Sequence, residues 1–139
     1  MDCTYNELTT LDISLNTALV NLDCRVNVLT TLDVSNNPAL KYYWCGYNPL
    51  TIIDVSNLPD LWVLSCGGNQ MSSLNISNNP NLVPFTGMTA LDISNMPSLH
   101  EVCVWTMPFP PEGVEIDTTG SPNVYFTIEC MNSKLSNKY

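Results

Sequence analysis

The chain is poor in charge and poorest in positive charge. Of its 139 residues, four are Lys or Arg against thirteen Asp or Glu, a formal net charge of −9. That balance opposes the phosphate neutralisation on which nucleic-acid binding depends, and it disfavours anionic lipid for the same reason. No apolar run approaches the roughly 18 to 20 residues that a membrane span needs, and the first ten residues lack the basic start and apolar stretch of a signal peptide. Histidine occurs once, as His100, and no Gly-x-Ser-x-Gly, Gly-x-x-x-x-Gly-Lys or His-Glu-x-x-His motif is present. His100 and Cys103 are three apart on a predicted strand, so they point to opposite faces and form no local dyad. An enzyme is not expected, and no cofactor is implied. Cys-x-x-Cys spacing is missing, as is a loop of alternating Asp with a Gly turn, so neither a zinc nor a calcium site is expected. Charged residues are 12% and apolar ones 45%, which excludes a disordered acidic tail and a coiled coil and leaves one domain, or one array of small units.

An array is what the spacing shows. Cys3, Cys24, Cys45 and Cys66 are 21 residues apart, with Asn6, Asn27, Asn48 and Asn69 three places after them. The same step carries Leu8 to Leu29, Leu50 and Met71, then Leu11 to Leu32, Ile53 and Leu74, and Ile13 to Val34, Val55 and Ile76. One unit reads Leu19-x-x-Leu22-x-Cys24-x-x-Asn27-x-Leu29-x-x-Leu32-Asp33-Val34-Ser35-x-Asn37-Pro38, after which Leu40 begins the next. Leu22 and Cys24 alternate with Asn21, Asp23 and Arg25, the period of a half-buried strand, and Leu32 to Val34 alternate likewise. Each unit thus holds two extended stretches too short to fold alone, which must stack in register on their neighbours. Asn37-Pro38, Asn48-Pro49 and Asn79-Pro80 supply turn chemistry, and the fold class expected is an all-β-rich solenoid without a confident helix.

The pattern Leu-x-x-Leu-x-Cys-x-x-Asn-x-Leu followed by Leu-Asp-Val-Ser-x-Asn resembles the leucine-rich repeat, in the 21-residue, cysteine-ladder form of internalin-J-like bacterial surface proteins. The resemblance covers residues 1–105. It implies a right-handed superhelix with a parallel sheet on its concave face, used for binding rather than catalysis, in a protein outside the cell or attached to its surface. Departures gather at the C-terminal end. Gly87 stands where a ladder cysteine is due, the Leu-Asp-Ile of residues 91–93 arrives four places early, and Val104 takes the next ladder place with Cys103 one position off it. Residues 106–139 read as a C-terminal cap and tail: a proline-rich loop at 107–113, one more strand at 124–128, and a frayed end from Ser133 to Tyr139. At the other end Met1 and Asp2-Cys3 occupy the places of Leu22 and Asp23-Cys24. The chain is therefore expected to be part of a longer protein whose open N-terminal edge invites weak self-association.

Most of the conserved-looking columns have structural explanations. The four ladder cysteines read as buried thiols packing like small hydrophobes, while a bridge from Cys103 to Cys130 is left open. The Asn column should bond turn backbones inside the solenoid. Asp12, Asp33, Asp54 and Asp92, interrupted by Asn75, should accept hydrogen bonds from Ser, Thr or backbone donors at an outer turn. What remains is the outward side of the first strand of each unit. Its columns are read as Asn21, Tyr42, Val63, Pro84, Glu101 and Asp2, Asp23, Trp44, Ser65, Thr86, with Tyr5, Val26, Tyr47, Gly68 on the flank. Tyr42, Trp44, Tyr47 and Trp62, with Asp23 and Asn21 beside them, form the candidate binding site, because surface aromatics on an open sheet are enriched at interfaces. A protein ligand is the first expectation. Glycan is the alternative, through stacking on Trp and Tyr with Asp23, Asn21 or Glu101 accepting hydroxyls, and a purely structural spacer is the second.

Overall fold

The fold is taken from a computed structural model that describes residues 1–82 and 88–130. The chain winds as a solenoid of short parallel strands, and no helix occurs among the described residues. Strands β1 (Asn21–Asp23), β2 (Tyr42–Trp44), β3 (Val63–Ser65), β5 (Leu91–Asp92) and β7 (Ile116–Asp117) form one five-stranded sheet in that order. On the opposite side β4 (Ser73–Asn75), β6 (Glu101–Cys103) and β8 (Tyr125–Thr127) form a second sheet. Pairing is parallel throughout, with Leu22 beside Tyr43 and Tyr43 beside Leu64. The 21-residue step is thus a step of one strand across the sheet.

Alternation decides which side chains go inside. Leu22, Tyr43, Leu64 and Leu91 form one inward column, and Cys24, Cys45 and Cys66 form the next, all fully buried. Cys3 continues the column half-buried, and all four thiols are free. Tyr43 is an intruder in a leucine column. It is fully buried, and desolvation pushes the pKa of its hydroxyl well up. From the opposite wall Ile13, Val34, Val55 and Ile76 complete the core.

The corners explain the asparagines. Asn27 donates through Nδ2 to the Cys24 carbonyl of its own coil and to the Cys3 carbonyl of the preceding one, at 3.1 and 3.0 Å. Its Oδ1 accepts from the Leu8 amide at 3.0 Å. Asn48 and Asn69 repeat this pattern on Leu29 and Leu50. Asn37 and Asn79 line the other corner and donate to Ile13 and Asn16, and to Val55 and Leu58. Two residues after each ladder position the backbone turns left-handed: Tyr5, Val26 and Tyr47 have φ of 54°, 56° and 55°, and Gly68, Asn95 and Gly120 continue the column.

Over the first coils the two sides differ in pairing. The outer stretches around Asp12 and Asp33 leave a recess of about 270 Å³ between them, and those around Asp54 and Asn75 one of about 520 Å³. Coils bonded at strand spacing on one side and spread on the other must curve, with the first sheet concave. From β4 onward the outer side is hydrogen-bonded too, and the coils close up on both sides.

The C-terminal region corrects the expected columns. Leu91-Asp92 pairs with Leu64-Ser65 in the first sheet, so Ile93 rather than Gly87 follows Cys66 in the ladder, and Val104 has no place in it. Residues 101–103 pair with Ser73 to Asn75 in the second sheet, which removes Glu101 from the concave column and places Val104 after Ile76. Asp92 likewise leaves the outer Asp column, whose members are Asp12, Asp33, Asp54 and Asn75. The physical reason is that the two halves of a unit carry the same apolar alternation, so either half can stack on either wall. Pro84, Thr86 and Gly87, and the segment from Ser133 to Tyr139, lie outside the described residues. Residues 114–130 contribute β7 and β8, and the loop before them lays Phe109 against Trp105 and Phe126, with ring centroids at 5.2 and 4.9 Å. A disulfide joins Cys103 to Cys130, with the Cα atoms 5.4 Å apart, within the usual range.

Two measurements test these features. Burial pushes the Cys24 thiol up to about 12 and raises Cys45 and Cys66 as well, so all three should resist a thiol reagent in the folded protein and react after denaturation. Val26 is β-branched in a left-handed conformation that costs such residues about 1–2 kcal/mol. Val26→Gly should raise stability by about 0.5–1 kcal/mol, read from the denaturant midpoint, and a lower midpoint would show that packing outweighs backbone strain there.

Candidate binding face

The exposed side of the first sheet is built from two rows. In one, Asn21 stands beside Tyr42 and Tyr42 beside Val63. In the other, Asp2, Asp23, Trp44, Ser65, Asp92 and Asp117 follow each other strand by strand. Tyr42 and Trp44 are two apart on β2, hence on one face, and their rings stack at 5.6 Å with 13° between planes. Trp62, just before β3, meets Tyr42 edge-on at 5.8 Å, and the Lys41 ammonium lies 4.4 Å from the Trp62 ring centroid. Ring–ring and cation–ring contacts of this kind are each worth about 0.5–1.5 kcal/mol and hold the cluster in one geometry.

Three of the four expected aromatics are therefore together. Tyr47 is set apart at the left-handed corner, 53% exposed, with its ring over Gly68, where an added Cβ would approach a ring carbon to 2.7 Å. Its hydroxyl accepts from Asn95 Nδ2 at 3.3 Å. Asn21 is exposed beside Tyr42, and Asp23 is engaged by Arg25, whose Nε donates to Oδ1 at 2.9 Å and Nη2 to Oδ2 at 2.6 Å. That pair raises the Arg25 pKa. Val63, expected on the surface, is 3% exposed. Glu101, a candidate hydroxyl acceptor for glycan, is instead buried in the second sheet, where the Tyr125 hydroxyl donates to it at 2.9 Å. His100 is exposed, and Cys103 has no free thiol to pair with it.

Beside Trp44 a shallow recess of about 240 Å³ is lined by Arg25, Trp44, Val63, Ser65, Met88, Thr89, Asp92 and Asp117. Asp92 accepts from the Ser94 amide at 3.0 Å and from Ser65 Oγ at 2.8 Å. Asp117 accepts from the Thr119 amide at 2.9 Å. Neither carboxylate was assigned to this face from the sequence, because both follow from the altered stacking after β3. The Asp-x-Ser form of Asp92-Ile93-Ser94 is shared with the outer stretches at Asp12, Asp33 and Asp54, so the signal available was the corner residue that follows, Asn95 and Gly120 in line with Gly68.

Fold and face together define a parallel-strand solenoid repeat protein. Among solved structures it is similar to the functional domain of InlJ from Listeria monocytogenes, described as including a cysteine ladder. The two are 29% identical with a TM-score of 0.61, over 91% of this chain and 33% of that one. The chain thus spans about a third of the length of that structure. No protein-family model matches the sequence, and no curated protein does. No helix among the described residues is long and apolar enough to cross a membrane.

The Asp-x-Ser turns have a consequence in acid. Hydrogen bonds from Ser14, Ser35, Ser56 and Thr119 hold Asp12, Asp33, Asp54 and Asp117 below the ordinary carboxylate range, and Thr4 does so for Asp2. A carboxyl whose folded pKa is depressed contributes stability that is complete above its unfolded value, about 3.9, and lost as pH falls through the folded one. Urea midpoints should therefore be flat above about pH 5 and fall progressively below about pH 4. Asp33→Asn, which keeps the Oδ1 acceptor, should make that fall shallower.

Proposed function

We propose that this chain is a leucine-rich-repeat binding module of the 21-residue, cysteine-ladder class. It engages a protein partner through the exposed face of its first sheet. The observation that carries this is the cluster of Tyr42, Trp44 and Trp62, half-exposed at positions that the repeat leaves free, beside a recess on the concave side. Rigid aromatic side chains on a preformed sheet lose little entropy on binding and are the residue types that anchor interfaces. In this assignment residues 1–105 are the repeat array and 106–130 its C-terminal cap, with Phe109 packed against Phe126 of β8. A location outside the cell or at a bacterial surface is supported by the likeness to InlJ and by the Cys103–Cys130 disulfide, since such bonds persist in oxidising compartments. Binding rather than catalysis is the role assigned to the face.

A glycan ligand is the second reading, favoured by the same stacked rings with Ser65 and Asp92 beside them. A spacer needs neither the rings nor the recess. Binding of the intact chain to extracellular proteins and to oligosaccharide arrays, repeated with Trp44→Ala, tests all three. Loss of a buried anchor costs about 2 kcal/mol, so the variant should bind its partner roughly thirtyfold more weakly while its melting temperature stays within a few degrees. Unchanged binding would exclude Trp44 as an anchor, and a large drop in melting temperature would make the ring a packing element.

A further inference from the structure

We propose that the recess beside Trp44 receives a cationic side chain, so that the surface fitted by this sheet is a basic peptide segment carrying Arg or Lys. The inference rests on the first sheet being a binding face and adds the chemistry of its partner. Parallel register sets Asp117 directly beside Asp92, with strands about 4.8 Å apart. Like charges in that relation destabilise a sheet unless a cation answers them. The described bases are committed elsewhere: Arg25 lines the recess but is held by both oxygens of Asp23, and Lys41 lies over Trp62.

Each wall has a separate task. Asp92 is fixed by Ser65 Oγ and the Ser94 amide, which hold its carboxylate in place. Asp117 accepts from the Thr119 amide and has no base paired with it among the described residues, so its carboxylate can accept a charge-assisted bond. Trp44 offers an aromatic face along which the alkyl stem of Lys or Arg lies and toward which its cationic head is drawn. Arg25, neutralised by Asp23, closes the recess without repelling a single entering cation as a free base would. The net charge of −9 steers a basic segment toward the chain, and the recess selects where it docks.

The test uses the intact chain with two labelled octapeptides, one alternating Arg with Gly and one alternating Gln with Gly, followed by fluorescence anisotropy. The Arg peptide should bind and the Gln peptide should not, with affinity weakening severalfold as salt screens the pair. Asp117→Asn retains the oxygen that accepts from Thr119, so the fold should hold while affinity drops about fivefold or more. Trp44→Ala should cost about tenfold. Asp54→Asn removes the same charge from the opposite side and should leave binding unchanged. Equal weakening by Asp54→Asn and Asp117→Asn, or equal binding of both peptides, would overturn the proposal by reducing the effect to diffuse attraction. If the Arg peptide fails to bind while Trp44→Ala still abolishes binding of a protein or neutral oligosaccharide, the cation site is wrong and the binding face stands. If no variant of Trp44 changes any binding, both fall.

Discussion

Each coil of this chain turns its corners against its own interior, where backbone groups have no water to bond. Everything else in the solenoid depends on how those groups are satisfied. In the coils from Cys3 to Cys66 one asparagine amide does it at the inner corner: Asn27 bonds carbonyls of two successive coils and accepts an amide from the earlier one, so a single side chain closes a turn and sets the next strand in register. In the last coil Ser121 Oγ accepts from the Met96 amide and donates to the Ile93 carbonyl. The outer corner is looser. Asn37 and Asn79 donate in the same way, but their Oδ1 atoms find no partner, and between them the position belongs to Leu58. The corner with full satisfaction keeps Asn from Asn6 to Asn69 without a break, and the corner with half of it does not.

Residues 1–82 were legible because stacking gives every member of a column the same surroundings, and the same surroundings select the same residue. The change after β3 showed only as a break in spacing, with Leu91-Asp92-Ile93 four places early, which does not say which wall the segment joins. Leu91-Asp92-Ile93-Ser94 has the form of an outer stretch, yet it stacks on Leu64-Ser65-Cys66 because inner and outer halves present the same apolar spacing to the core. What marks the true column is backbone rather than hydrophobicity. Asn95 and Gly120, residue types that accept a left-handed φ readily, stand in line with Gly68.

The aromatic part of the candidate face was legible for the opposite reason: Tyr42, Trp44 and Trp62 break columns that are otherwise free to vary. Tyr47 shows where such reasoning overreaches, since its position is set by the corner and its ring by Gly68 and Asn95. The acidic wall belongs to the altered stacking and inherits its obscurity. Tyr43 is the mirror case, an aromatic that alternation sends fully inside.

Two sulfur chemistries share this small fold, four free thiols in the ladder and one disulfide beside it. Six cysteines allow fifteen complete pairings, and ladder neighbours stand on strands about 4.8 Å apart, within the Cα range that disulfides accept. An oxidising environment would therefore cross-link an unfolded or half-stacked ladder as readily as it joins Cys103 to Cys130. Once the coils close, a thiol held near pKa 12 is thiolate on the order of one part in 10⁵ at neutral pH, and exchange at that site all but stops. In such an environment stacking would have to outrun oxidation along the ladder; the core that holds the solenoid together is also what keeps its own thiols out of the chemistry of its surroundings.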